Sequence, residues 1–140
     1  MSASIELADL QSSLAIDAAA FRELIERAVA LTDYGGTLSI ALVDDERMRQ
    51  LHRDYMGIDE PTDVLAFPLD ESCGEVVIST DTARVNAAER DAPPELEVLL
   101  YAIHGLLHLL GHDDHAAADR TRMQAEERRI LGALGFPRPD

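Results

Sequence analysis

Apolar residues recur along this chain in three patterns, and each predicts a different kind of element. Ile5 and Leu7 alternate with polar neighbours, the period of a strand with one buried face. Phe21, Leu24, Ile25, Ala28 and Leu31 recur at helical spacing behind Asp17, whose carboxylate suits an N-cap, and Gly35-Gly36 ends that helix. Leu38, Ile40 and Leu42 share one face of a strand over 37–43. Asp44-Asp45 caps a short helix bearing Met48, Leu51 and Tyr55, followed by a loop at 57–61. The continuous apolar run 62–68 reads as a buried strand stopped by Pro68, 69–74 as a turn, and 75–78 as a second strand of the same hairpin. Ser79 or Thr80 then caps a helix to about Arg90, with Asp81 at its positive end.

Pro93-Pro94 opens the next helix, with Glu95 and Glu97 in its first turn. From Val98 to Leu110 it is apolar nearly all round, the mark of a buried central helix. Met123, Ile130, Leu131 and Leu134 lie on one face of a terminal helix that Gly135 ends. About four strands and five helices follow, with no repeat, linker or low-complexity segment. The class is α+β, and 140 residues suit one domain, 1–140, around one core.

Composition changes this picture in three places. Aromatics make up 4% and Trp is absent, so the core is aliphatic. Twenty-seven acids against 12 arginines, with no lysine, give a net charge of -15. That charge alone counts against a polyanion partner, unless a bound divalent metal and a local arginine patch create a positive groove. Cys73 is the only cysteine, which forbids an intrachain disulfide and suits a reducing compartment. The start has no basic region followed by an apolar core, and no apolar run reaches membrane-spanning length. The expectation is a soluble, cytoplasmic protein with no membrane partner.

Candidate chemistry concentrates in residues 101–115, which hold four of the five histidines. His104 and His108 are spaced i, i+4 within the apolar helix, so both imidazoles share one face. A lone histidine on such a helix is ordinarily a satisfied core residue. Two of them, buried unpaired, would cost roughly 2 kcal/mol or more each. Gly111 then releases His112, Asp113, Asp114 and His115 into a turn that can return a third donor. Metal coordination removes the burial cost and leaves a fourth position open for water. Nitrogen-rich ligands favour zinc, one ion per chain, although nickel and iron(II) accept similar sets. The spacing His-x-x-x-His-x-x-Gly-x-x-Asp has the rhythm of the zinc-protease signature, but Gly105 stands where that signature carries its glutamate base. Peptide hydrolysis by that route is therefore disfavoured. Metal-bound water acting on another electrophile, such as a phosphodiester, is compatible with the pattern.

These residues resemble the YbeY family of bacterial zinc-dependent endoribonucleases that act in ribosomal RNA maturation. The signature His-Gly-x-Leu-His-Leu-x-Gly-Tyr/His-Asp-His is similar to His104-Gly-Leu-Leu-His-Leu-Leu-Gly-His-Asp113. Pro-Thr-Asp-Val-Leu-Ser-Phe-Pro resembles residues 61–68, and Gly-Asp-Ile-Val-Ile-Ser resembles residues 74–79. The matches come in family order and span roughly 51–134. The resemblance implies an α+β sandwich, a four-stranded mixed sheet with helices around the metal helix. It also implies single-strand-specific RNA cleavage by metal-bound water, with ribosomal RNA, the ribosome or a ribosomal protein as partner.

Two positions depart from the family pattern. The third metal histidine falls six residues after the second, where this chain has Asp114; His115 is one residue late. Asp114 is the positional equivalent and His115 the alternative third ligand, with His112 behind both. Typical members also carry Tyr-Arg-Gly before the Pro-Thr-Asp motif, with the arginine implicated in catalysis. Here the segment is Tyr55-Met56-Gly57, so either Arg53, Arg84 or another arginine substitutes from elsewhere, with Arg53 itself more readily a solvated helix residue, or the activity is weak or altered. Asp63 is a candidate for orienting a metal ligand, equally readable as a turn cap, and His52 reads as exposed. No catalytic or substrate-binding residue is otherwise assigned. Two alternatives stand beside the nuclease: a non-catalytic ribosome-associated factor whose metal stabilises the fold, and a metallohydrolase of another ester or amide.

Overall fold

The structure, a computed structural model, describes residues 3–138. Four strands and five helices occur among them, in the order β1 (Ser4–Asp9), α1 (Ala18–Ala30), β2 (Thr37–Val43), α2 (Asp45–Met56), β3 (Val64–Asp70), β4 (Cys73–Ser79), α3 (Thr80–Glu89), α4 (Pro94–Leu109) and α5 (Ala117–Leu134). The sheet order is β1-β2-β4-β3. β1 and β4 both run parallel to β2, whereas β3 returns antiparallel to β4 as a hairpin arm. The class is α+β, as the periodicity predicts, and the sheet is the four-stranded mixed one that the family resemblance implies.

Local chemistry sets the element ends. Asp17, Asp44 and Ser79 cap α1, α2 and α3, their side chains accepting from the backbone N–H groups of Ala20, Arg47 and Thr82. Between the two candidate caps of α3, Ser79 takes the role. Thr80 instead donates to Gln11 and to the Val43 carbonyl, tying α3 to the end of β2.

The hairpin differs from the sequence expectation. β3 does not stop at Pro68 but continues to Asp70, and β4 begins at Cys73, so the turn shrinks to Glu71-Ser72. Pro68 is tolerated because β3 is the edge strand of the sheet, where a missing N–H breaks no ladder. The edge position also leaves Leu65 as the buried residue of β3, rather than a strand buried throughout. His52 is likewise buried, not exposed. Its Nδ1 lies 2.8 Å from the Glu60 carbonyl oxygen, pinning the loop after α2.

α4 crosses one face of the sheet and forms the centre of the main core. Ile103, Leu106 and Leu107 pack with Leu38, Ile40, Val76 and Ile78. The opposite face carries a smaller cluster of Val43, Met48, Leu65 and Val77 under α2. Gly105 allows α4 to approach so closely. A Cβ built on it would stand 2.6 Å from Val76 Cγ1. Glycine after His104 is therefore a packing requirement, and the position faces β4. Among the described residues, no helix is long and apolar enough to cross a membrane.

Candidate metal centre

α4 presents His104 and His108 on the edge of its buried surface, each partly exposed. One turn apart on the helix, their Nε2 atoms stand 3.1 Å from one another. The helix then ends in a Schellman motif. The Gly111 N–H donates to the His108 carbonyl and the His112 N–H to the Leu107 carbonyl, with Gly111 at φ 98°. This reversal brings the turn back over the imidazoles. Asp114 Oδ2 lies 3.5 Å from His104 Nε2 and 3.7 Å from His108 Nε2. Arg120 on α5 fixes the turn from behind by donating to the carbonyls of Asp114 and His115.

The three donors fit a divalent metal. Metal–ligand bonds of about 2.0–2.2 Å in a tetrahedral site separate the ligand atoms by roughly 3.3–3.6 Å, close to the spacings here. The histidine tautomer fits a metal as well. His104 Nδ1 is 2.8 Å from Glu127 Oε2, so this nitrogen carries the proton and Nε2 presents its lone pair to the cluster. Residues 104, 108 and 114 thus form one group whose donors all lie within 4.8 Å. The donors of Asp113, Asp114 and His115 also lie within 4.8 Å of one another. In that group, however, the His115 imidazole is 91% exposed and engaged 2.8 Å from Asp113 Oδ1. His112 turns elsewhere, lining a hollow with Glu126 and Arg129.

Electrostatics separate the two helical histidines. Burial lowers the pKa of His104, but the hydrogen bond and charge of Glu127 outweigh it and raise the value above the ordinary histidine range. Burial and the neighbouring His104 together push His108 down. Glu127 itself is 2% exposed. Burial pushes its carboxyl up, yet hydrogen bonds from His104 and Arg138 win and leave it below the usual glutamate range.

The stability of the metal-free protein depends on pH through this pair. Raised His104 contributes stability that is full below about pH 6.5 and fades as pH rises through its folded value. Lowered Glu127 contributes stability above about pH 4.5 that is lost as pH falls through its folded value. Glu127→Gln is therefore expected to cost most between roughly pH 4.5 and 6.5: about 3 kcal/mol at pH 5.5, against about 1–2 kcal/mol at pH 8.5. Urea unfolding of chelated protein at the two pH values measures this. Equal losses would contradict the assigned pair.

Glu127 escaped the sequence reading, although a signal was present. It falls four residues after Met123 and three before Ile130, on the apolar stripe of α5, where an acid demands a partner. Asp63 lines a hollow of about 150 Å³ together with His104, Tyr101 and Asn86. Its carboxylate accepts from the Val64 N–H at 2.8 Å, capping the start of β3. Its charge also helps raise His104. Met56 is exposed at the end of α2, and Arg53 is exposed beside Asp54. Neither Arg53 nor Arg84 lines the hollows at His104; Arg90, Arg120 and Arg138 do.

The family model described as Endoribonuclease YbeY matches residues 6–135. Among curated relatives, Endoribonuclease YbeY of Carboxydothermus hydrogenoformans is 40% identical over 142 residues, covering 95% of this chain and 99% of the relative. Endoribonuclease YbeY of Halorhodospira halophila is 41% identical over 115 residues, 75% of each chain. Among solved structures, the solution structure of TM1509 from Thermotoga maritima aligns with a TM-score of 0.66 at 25% identity, covering 93% of this chain and 91% of that one.

Proposed function

The chain belongs to the YbeY endoribonuclease family, and from that premise we propose that residues 1–140 act as one zinc-dependent endoribonuclease domain, cleaving single-stranded RNA in ribosomal RNA maturation in the cytoplasm. The observation that carries the reading is the convergence of His104 Nε2, His108 Nε2 and Asp114 Oδ2 around one point, with Glu127 holding the His104 tautomer. Zinc is the metal this donor set suits, one ion per chain. Bound there, it would supply Lewis acidity toward a phosphodiester and lower the pKa of water. The chain's own residues supply the rest. The two imidazoles are preset by α4, Asp114 is held by Arg120 and the Schellman turn, and the exposed Arg120 lies on the rim for the RNA backbone. Met56, exposed at the end of α2, offers no such charge.

Asp114 is the third ligand in this reading, in preference to His115. Asp114→Ala is expected to weaken zinc binding and lower RNA cleavage together by 100-fold or more, roughly 3 kcal/mol. His115→Ala should leave both within about twofold. Chelator competition and a fluorescent RNA assay on nuclease-free protein measure the pair; the reverse ranking would move the ligand to His115. A non-catalytic, ribosome-associated reading is favoured by the lost arginine at position 56. It predicts a melting temperature that drops on chelation, with no metal-dependent cleavage in the RNA assay.

A further inference from the structure

A hydrogen-bonded chain outside the three donors runs from His104 through α5 to Arg138. α5 closes in a second Schellman motif. Gly135 stands at φ 93°, and the Phe136 N–H donates to the Leu131 carbonyl at 2.9 Å. The chain is thereby folded back along the helix it has just left. Phe136 packs against the main core, and Pro137 follows with a fixed φ. Arg138 is delivered to Glu127, eleven residues earlier, where its Nε donates to Oε1 at 3.0 Å with the side chain 17% exposed. The other oxygen of the same carboxylate, Oε2, accepts from His104 Nδ1 at 2.8 Å.

Glu127 is thus held at both oxygens, by the candidate ligand on one side and by the C-terminal segment on the other. Rotation about the last torsion of Glu127 would strain both hydrogen bonds at once, so the second bond stiffens the carboxylate beyond what the first provides, and the direction of the His104 Nε2 lone pair is set partly by residue 138.

We propose that Arg138 is a positioning residue for the metal centre: residues 135–138 form a strap that locks Glu127, and through it His104, for binding a divalent cation. The inference rests on the reading of His104, His108 and Asp114 as the metal ligands. It carries a sign that simple charge does not. Removing a guanidinium beside a cation site favours the cation by Coulomb's law, whereas loosening the strap disfavours it.

The experiment is a zinc affinity measurement on the full chain by competition with a chromogenic chelator, with circular dichroism of each metal-free variant as a fold control. Arg138→Ala is expected to bind zinc roughly tenfold more weakly, the low end of the range for outer-shell partners. Arg138→Lys should recover part of the loss. Arg129→Ala, which removes an exposed guanidinium from α5, should leave affinity unchanged. In nitrogen-15 spectra of the metal-free protein, the His104 Nδ1–H signal should broaden or shift in Arg138→Ala and return toward wild type in Arg138→Lys. Unchanged or tighter zinc binding by folded Arg138→Ala, with wild type binding normally, overturns the strap alone. Equal weakening in Arg129→Ala also overturns it, since the effect is then not local. Failure of the wild type to bind zinc overturns the ligand reading and the strap with it. If Arg138→Ala does not fold, Arg138→Lys decides: zinc binding weakened by less than roughly tenfold together with a shifted His104 Nδ1–H signal supports the strap, and unchanged affinity or an unshifted signal rejects it.

Discussion

Gly105→Glu is expected to abolish stable folding rather than to create a protease. The substitution restores the general base of the zinc-protease signature in sequence, but position 105 faces β4 and not the imidazole cluster. The new Cβ would meet Val76 Cγ1 at 2.6 Å, and the carboxylate beyond it would enter the aliphatic core among Ile78, Leu106 and their neighbours. Overpacking costs about 1–3 kcal/mol, and burying an unpaired acid adds several more. A loss of about 5 kcal/mol corresponds to a fall in melting temperature of roughly 15 °C or more in a domain of this size. The steric part can be isolated. Gly105→Ala alone should cost about 1–3 kcal/mol, and its pairing with Val76→Ala should cost clearly less than the sum of the two single changes. Additive losses in denaturant unfolding would show that Val76 is not what Gly105 makes room for.

His104→Ala and His108→Ala carry the second large effect. Each removes a nitrogen donor from a three-donor group, so each should reduce bound zinc to background and cut RNA cleavage by about 10³-fold, equivalent to several kcal/mol of lost transition-state stabilisation. The two differ in stability. His104→Ala also strands the 2%-exposed Glu127 with Arg138 alone, so its metal-free form should unfold more readily than that of His108→Ala. Metal analysis after dialysis, single-turnover cleavage and urea midpoints separate these outcomes. Retention of zinc by either variant would take that residue out of the ligand set.

Much of the fold was legible because local rules and tertiary packing agree. Period-two runs became β1 and β2, the short apolar run at 75–78 became part of β4, and the acidic or hydroxyl residues before three helices became their caps. The disagreements arise where position in the sheet overrides local chemistry. Pro68 reads as a strand terminator, yet an edge strand passes through it, because only an edge can spare the N–H. His52 reads as a polar surface residue, yet the loop after α2 folds over it and offers a carbonyl.

The candidate site divides in the same way. The i, i+4 pair on α4 is a property of one helix and was visible in the chain. The Glu127–Arg138 support joins α4, α5 and the C-terminal segment, and no local period announces such a meeting. An acid on the apolar stripe of α5 was the one available clue. The contest between Asp114 and His115 likewise depends on how Gly111 turns the chain, a geometry that residue spacing alone does not determine.

Metal dependence of RNA cleavage by one preparation of the wild-type chain tests the central claim most directly. Protein freed of contaminating nuclease would be stripped with a chelator, then titrated with zinc while cleavage of a defined single-stranded RNA is followed. The account predicts that cleavage disappears on stripping and returns in proportion to zinc, saturating at one ion per chain, with no return in His104→Ala/His108→Ala. Cleavage that survives stripping, or that the double variant performs equally well, would contradict it.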